Sequence, residues 1–160
     1  MAEPVLVVFD IDGTLAQEGP PASDTYADDR LLSLEPVKNM IAIAKKYIAT
    51  EHVDIMFCTG RPKRSFRSTW QWLNKHLQLA TSGKRIHVCC RPDDMPENRI
   101  ADYKLGEIVQ AVRRMGSKPS EALVFDDNVM NLQMFETIRP MVHRLRLYKV
   151  ENGLASNWSL

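Results

Sequence analysis

With 160 residues, 44% of them hydrophobic and 26% charged, the chain has enough material for one folded domain with a real core. Its net charge of +1 supplies no global field of the kind that draws a protein to nucleic acid or to a membrane surface. No apolar run approaches the roughly 20 residues of a membrane-spanning helix, and the N-terminus enters a strand-like run without the basic flank and apolar region of a secretory signal. The three cysteines, Cys58, Cys89 and Cys90, all lie in apolar runs. They are odd in number and lack metal-ligand spacing, so they read as small buried residues kept reduced in the cytoplasm.

In chain order, strand-like runs fall at residues 5–10, 53–59, 86–90, 122–126 and 142–148, separated by helical patterns at 35–50, 63–79, 102–115 and 128–138. Val37, Met40, Ile41, Ala44 and Ile48 recur at three- and four-residue spacing and make one apolar stripe. Phe66, Trp70, Leu73 and Leu77 keep the same rhythm, as do Leu105, Ile108, Val109 and Val112. Strand–helix alternation of this kind predicts an α/β fold: a doubly wound, mostly parallel five-stranded sheet with helices on both faces. A single domain over residues 1–150 would then be followed by a C-terminal tail over 151–160, flexible near its end. Residues 16–34 are polar, Pro-rich and without a long periodic pattern.

The first strand carries the strongest chemical signal. Val5 to Phe9 leads into Asp10-Ile11-Asp12-Gly13-Thr14, two aspartates delivered into a glycine turn where the strand ends. Burying two anions that close is costly unless a cation or a shared proton compensates. The C-terminal ends of strands in an open α/β sheet are where such folds place their ligands. A carboxylate nucleophile, a carboxylic acid and a Mg²⁺ ion would explain the cluster. The plainer reading is a strand that simply stops at a common Asp-Gly turn.

Three further pieces bear on that choice. A second strand ends in Thr59-Gly60-Arg61-Pro62, a fourth ends in Asp126-Asp127-Asn128, and Lys104 opens a helix between them. These four motifs, in this order over residues 5–128, resemble the haloacid dehalogenase superfamily of phosphotransferases. The two-aspartate DxDGT form is similar to that of its phosphatases. Within the superfamily the spacing most resembles the phosphatase half of bacteriophage polynucleotide kinase-phosphatases, through residues 9–16, 59–61, a Trp-containing helix, Arg91, Lys104 and residues 126–127.

The resemblance implies a Mg²⁺-dependent phosphomonoesterase working through an aspartyl-phosphate, acting on 3′-phosphorylated nucleic-acid ends or nucleotides. Asp10 would be the nucleophile and Asp12 the general acid and then base, with the backbone carbonyl of Asp12 facing the metal. Asp10 and Asp126 would bind Mg²⁺ directly, and Asp127 through a water or by orienting Asp126; Asp127 or Asn128 also suits a helix N-cap. Thr59 and Gly60 would bind the transferring phosphoryl group, and Lys104 would pair with Asp10 and that group. Arg61, Lys63, Arg64 and Arg67 would sit at the mouth of the site, with Arg91 on the same rim. Lys63 and Arg64 equally suit the solvated face of a helix. Trp70 and Trp72 could stack on bases, but Trp70 falls on the apolar stripe and suits the core, while the sequence decides neither place for Trp72.

Some relatives insert a cap domain after the first motif or after the third strand. About nineteen residues at the first place and a dozen at the second leave room only for a small flap. No GxxxxGK[ST] loop occurs in the sequence, so these residues hold no P-loop kinase. A free-nucleotide or small-metabolite phosphatase is the nearest alternative, since near-neutral charge gives little general affinity for a polyanion. A phosphoprotein phosphatase and a non-catalytic phosphate-binding protein are further alternatives on the same fold.

Overall fold

A computed structural model describes residues 3–160. Five strands lie where the apolar runs place them: β1 (Val5–Phe9), β2 (Val53–Pro62), β3 (Ile86–Arg91), β4 (Glu121–Asp126) and β5 (Arg144–Glu151). All five are parallel, in the order β3-β2-β1-β4-β5. The order reverses around β1, whose two neighbours are β2 and β4, and such a switch point opens a crevice at the strand ends.

The expected five-stranded sheet has a sixth strand. β6 (Leu154–Trp158) pairs antiparallel with β5 through a two-residue turn at Asn152 and Gly153. Both turn residues have positive φ, 51° and 78°, as a tight hairpin with the sheet's twist requires. The segment expected as a flexible tail is therefore largely an edge strand. Its side chains lack buried alternation, because Leu154, Ser156 and Asn157 are exposed, and that hid the strand from periodicity.

Alternation along the strands divides the core into two layers. Val7, Phe9, Ile55, Phe57, Leu123 and Phe125 face α2 (Lys38–Ile48) and α3 (Phe66–Leu77), while Leu6, Val8, Met56, Cys58, Ala122 and Val124 face α4 (Ile100–Arg114) and α5 (Val129–Phe135). Near the strand ends an aromatic ladder crosses four strands. Phe57, Phe9, Phe125 and Tyr148 stack in that order, with ring centroids 5.8, 5.0 and 4.7 Å apart. It makes a stiff floor directly below the residues that follow Phe9 and Phe125.

The polar segment after the first motif is a small flap. Gln17 N donates to Glu35 O and Val37 N to Leu15 O, closing its base. A short helix, α1 (Asp28–Ser33), buries Leu31, and Leu34 follows it into the core. Trp72 of α3 anchors this flap: it is fully buried, and its Nε1–H donates to Leu34 O at 2.8 Å. Trp70, expected in the core, is only partly buried against it, and Trp72, for which the sequence decides nothing, takes the fully buried place. The helical stripe is wide enough for either ring, and the flap's carbonyl selects the one that can donate to it. Trp72→Phe should lower stability by about 1–3 kcal/mol, the cost of leaving a buried carbonyl unpaired. Urea unfolding measures this, and limited proteolysis should show faster cleavage within residues 17–27; unchanged values in both would show that Trp72 does not hold the flap.

Candidate active site

The register of three neighbouring strands assembles the site. Phe9 lies opposite Phe57 on one side and Phe125 on the other, so Asp10 emerges beside Asp126, with Thr59 two residues beyond Phe57. The Asp10 amide extends the ladder by donating to Phe125 O at 2.9 Å. Asp10, Thr59, Lys104 and Asp126 are all buried.

Lys104, in the second turn of α4, reaches over the sheet and ties two carboxylates together. Its Nζ donates to Asp10 Oδ1 at 2.7 Å and to Asp126 Oδ2 at 2.9 Å. Burial alone would push the ammonium pKa down, but Asp10 and Asp126 outweigh it and hold the group charged well above the ordinary lysine value. Asp10 responds in the opposite way. Burial first, then the charge of Asp126, raises its pKa well above the usual carboxylate range, with Lys104 pulling against them.

Two residues to which the sequence reading assigns no role complete this inner cluster. Thr14 Oγ1 donates to Asp10 Oδ2 at 3.0 Å, so both oxygens of Asp10 are held. Asn131 Nδ2 donates to Asp126 at 3.2 and 3.3 Å. Thr14 was legible as the last letter of the DxDGT motif. Asn131 lies one helical turn past the cap of α5, a position whose direction a sequence does not reveal. The cap itself is Asn128, whose side chain accepts from Met130 N and Asn131 N. Asp127 is thereby left free of capping.

Carboxylate oxygens of Asp10, Asp126 and Asp127 lie within 4.8 Å of one another. Three carboxylates face one ammonium, so the donor set is rich in hard oxygen and short of positive charge, which suits a divalent cation. Gly13 fits the same arrangement. Its φ is +83°, and a Cβ there would lie 2.1 Å from Asp127 Oδ2, so only glycine lets Asp127 approach the turn. Asp12, expected to face the metal through its backbone carbonyl, keeps its carboxylate outside this cluster.

The Asp12 side chain turns instead to Arg61. The Arg61 guanidinium donates through Nε to Asp12 Oδ2 at 2.9 Å and through Nη2 to Oδ1 at 2.7 Å, while Nη1 reaches Thr69 Oγ1 at 3.2 Å. Arg61 is fully buried, not at the mouth of the site as expected. The cause is an irregularity in the sheet. Thr59 pairs with Cys90 and Pro62 with Arg91, so Gly60 and Arg61 bulge out of the ladder and the arginine is redirected inward. Thr59 Oγ1 braces the bulge by accepting from Arg61 N at 3.1 Å, which leaves its own O–H free to donate elsewhere. Ile100 packs so closely on Gly60 that a Cβ would meet its Cδ1 at 2.8 Å.

Arg91 is likewise buried and engaged. Its Nε donates to Gly60 O at 2.6 Å and its Nη1 to Met95 O, so it braces the loops from below and is not on the rim. Of the cations expected at the mouth of the site, the exposed ones are Lys63, Arg64 and Arg67. The thiols play no part in this cluster: Cys58 and Cys90 are buried as expected and Cys89 is half-buried, and desolvation raises Cys58 well above its usual value, Cys89 to about 12 and Cys90 to about 11, so all three stay protonated.

Carboxylates clustered at the switch point of a mostly parallel sheet, under a small flap and no large cap, define the class: a phosphatase of the haloacid dehalogenase type, a hydrolase of phosphoric monoesters. The family model of the polynucleotide kinase PNKP phosphatase domain matches residues 4–136, and the chain belongs to this family. No curated protein matches the chain. No helix among the described residues is long and apolar enough to cross a membrane.

The raised pKa of Asp10 has a consequence for the metal-free protein. Below the ordinary carboxylate value the group is neutral in both folded and unfolded chains. As pH rises past that value the unfolded chain ionises first, so the fold loses stability until the raised folded value is passed. As pH rises above the ordinary carboxylate value of about 4, thermal midpoints in EDTA should therefore fall more steeply for the wild type than for Asp10→Asn. Parallel profiles for the two proteins would show that Asp10 titrates normally.

Proposed function

We propose that the chain is a Mg²⁺-dependent 3′-phosphatase of nucleic-acid ends or nucleotides that works through an aspartyl-phosphate on Asp10. The observation that carries this reading is the Lys104 ammonium held between Asp10 and Asp126, with Thr14 fixing the other oxygen of Asp10. A buried carboxylate with both oxygens oriented is placed to attack rather than merely to bind. The family's reference to polynucleotide kinase supports nucleic-acid ends as the substrate.

In the first step an oxygen of Asp10 bonds to phosphorus and the bond to the leaving oxygen breaks. Asp12 supplies the proton that the leaving oxygen needs. Both Asp12 oxygens accept from Arg61, so one of them has to leave the guanidinium fork when the group donates. Arg61 is thus a positioning residue for Asp12. In the second step Asp12 takes a proton from water, which attacks phosphorus, releases phosphate and restores Asp10. Lys104, the Thr59 hydroxyl and the backbone at Gly60 would hold the phosphoryl oxygens. A Mg²⁺ ion held by Asp10, Asp126 and Asp127 would offset the repulsion between carboxylates and an anionic substrate.

Asp10→Asn should reduce phosphate release by roughly 10³-fold or more on every substrate, as loss of a nucleophile does. EDTA should abolish the wild-type activity and Mg²⁺ restore it. Release that survived either change would remove Asp10 or the metal from the mechanism. In the first, pre-steady-state step, release of the leaving group, Asp12→Ala should cost about 10²- to 10⁴-fold on an alkyl phosphate and far less on an aryl phosphate whose leaving group needs no proton. Equal losses on both would show that Asp12 is not the general acid. Phosphate release from a 3′-phosphorylated oligonucleotide, compared with nucleoside 3′- and 5′-monophosphates, tests the substrate. Preference for the monophosphates would make the protein a nucleotide phosphatase.

A further inference from the structure

Phe66 is 46% exposed, whereas Phe9, Phe57, Phe125 and Phe135 are buried. It opens α3 directly after a 3₁₀ turn, Lys63–Ser65. Ser65 and Ser68 turn inward, Ser68 Oγ donating to Ser65 O at 3.1 Å, and this turns Lys63, Arg64, Phe66 and Arg67 outward together. Among the described residues, none of these three cations forms an ion pair. Beside Phe66 a groove of about 470 Å³ runs along the edge strand β3 past Val88, Cys89, Tyr103 and Glu107, and Asp93 Oδ1 accepts from the Arg64 backbone N–H at 2.9 Å.

The turn that bears this patch touches the flap on the side of Asp12, Ser65 Oγ donating to Tyr26 O at 3.5 Å. A cavity of about 300 Å³ there is lined by Asp12, Glu18, Tyr26 and Arg30 among others. The Arg64 guanidinium lies 5.9 Å from the centre of the Tyr26 ring, bridging that cavity to the turn that bears Lys63 and Phe66. In an in-line displacement the leaving group departs opposite the nucleophile, on the side of its proton donor. A substrate whose remainder leaves on the side of Asp12 would pass Tyr26 on its way toward Phe66.

We infer that the surface formed by Lys63, Arg64, Phe66 and Arg67 binds the single-stranded segment leading to the phosphorylated end, with an unpaired base stacked on Phe66. The inference rests on the 3′-phosphatase reading above and adds to it a platform for nucleotides beyond the terminal one. Exposed aromatic faces among cations are how single strands are held without sequence preference: bases stack on the ring and phosphates meet the charges. A paired base has no free face to offer, so the platform selects unpaired ends. Near-neutral net charge is compatible with it, because the attraction is local to one turn.

The test is steady-state phosphate release from a 3′-phosphorylated oligothymidylate and from an aryl phosphate, for the wild type, Phe66→Ala, Phe66→Leu and Phe66→Trp. The expected result is a KM for the oligonucleotide raised about tenfold or more in the Ala and Leu variants and retained in Trp, with aryl phosphate hydrolysis unchanged. Arg67→Gln should also flatten the dependence of log KM on log salt by about 0.7, one phosphate contact to a single strand. Leu matching the wild type on the oligonucleotide would overturn the stacking platform, since Leu keeps the bulk and lacks the π face. A concentration-dependent dimer that Phe66→Ala dissociates, with KM unmoved, would overturn it in favour of an interface between copies. If the wild type cleaves the aryl phosphate and not the oligonucleotide, the 3′-phosphatase reading itself fails and takes the platform with it.

Discussion

The Lys104 ammonium between Asp10 and Asp126 is the interaction on which the rest of the site depends. Two strand ends deliver carboxylates to one buried place, and without a cation between them they would repel in a medium that screens poorly. Lys104 reaches them from α4 across the sheet. One ammonium cannot neutralise three carboxylates. The remaining negative charge keeps Asp10 in want of a proton or a metal, which is the condition a metal-assisted nucleophile needs. Removing Lys104 would leave two uncompensated buried charges, so the residue serves the fold and the chemistry through the same contacts.

Asp12 is kept apart from that cluster by a different device. The bulge at Gly60 and Arg61 breaks the pairing of β2 with β3 and turns an arginine inward to hold Asp12 with a two-bond fork. Two aspartates one residue apart thus meet different partners: an ammonium and a hydroxyl for Asp10, a guanidinium for Asp12. The aromatic ladder below fixes the relative height of the strand ends, so these distances are set by sheet register rather than by mobile loops. The flap, held by Trp72, then places Tyr26 across from Asp12.

Much of this was legible in the sequence because strand ends announce themselves. Apolar runs that stop at Asp10, Thr59 and Asp126 locate three strand ends, and parallel pairing brings them together without further information. Lys104 followed from the family pattern. What escaped are directions. Arg61 and Arg91 look like rim cations in a linear reading, because nothing local records the bulge that buries one or the carbonyls that engage the other. Helical spacing cannot separate Trp70 from Trp72 when a hydrogen bond from outside the helix decides between them. Phe66 keeps the apolar rhythm of α3 but sits at its first position, where the helix has not yet reached the core. β6 was signalled by Asn152-Gly153, a strong hairpin dipeptide, and obscured by its exposed side chains.

The most direct test of covalent catalysis at Asp10 is an acid quench during the first turnover with a 3′-phosphorylated oligonucleotide and Mg²⁺, followed by mass analysis of the peptide that carries residues 5–15. Covalent catalysis predicts that this peptide gains the mass of one phosphoryl group on Asp10, more in Asp12→Ala with an aryl phosphate, where breakdown of the intermediate is slowed. Rapid release of phosphate with no phosphorylated peptide at any time, in either protein, would contradict it and point to direct attack by water.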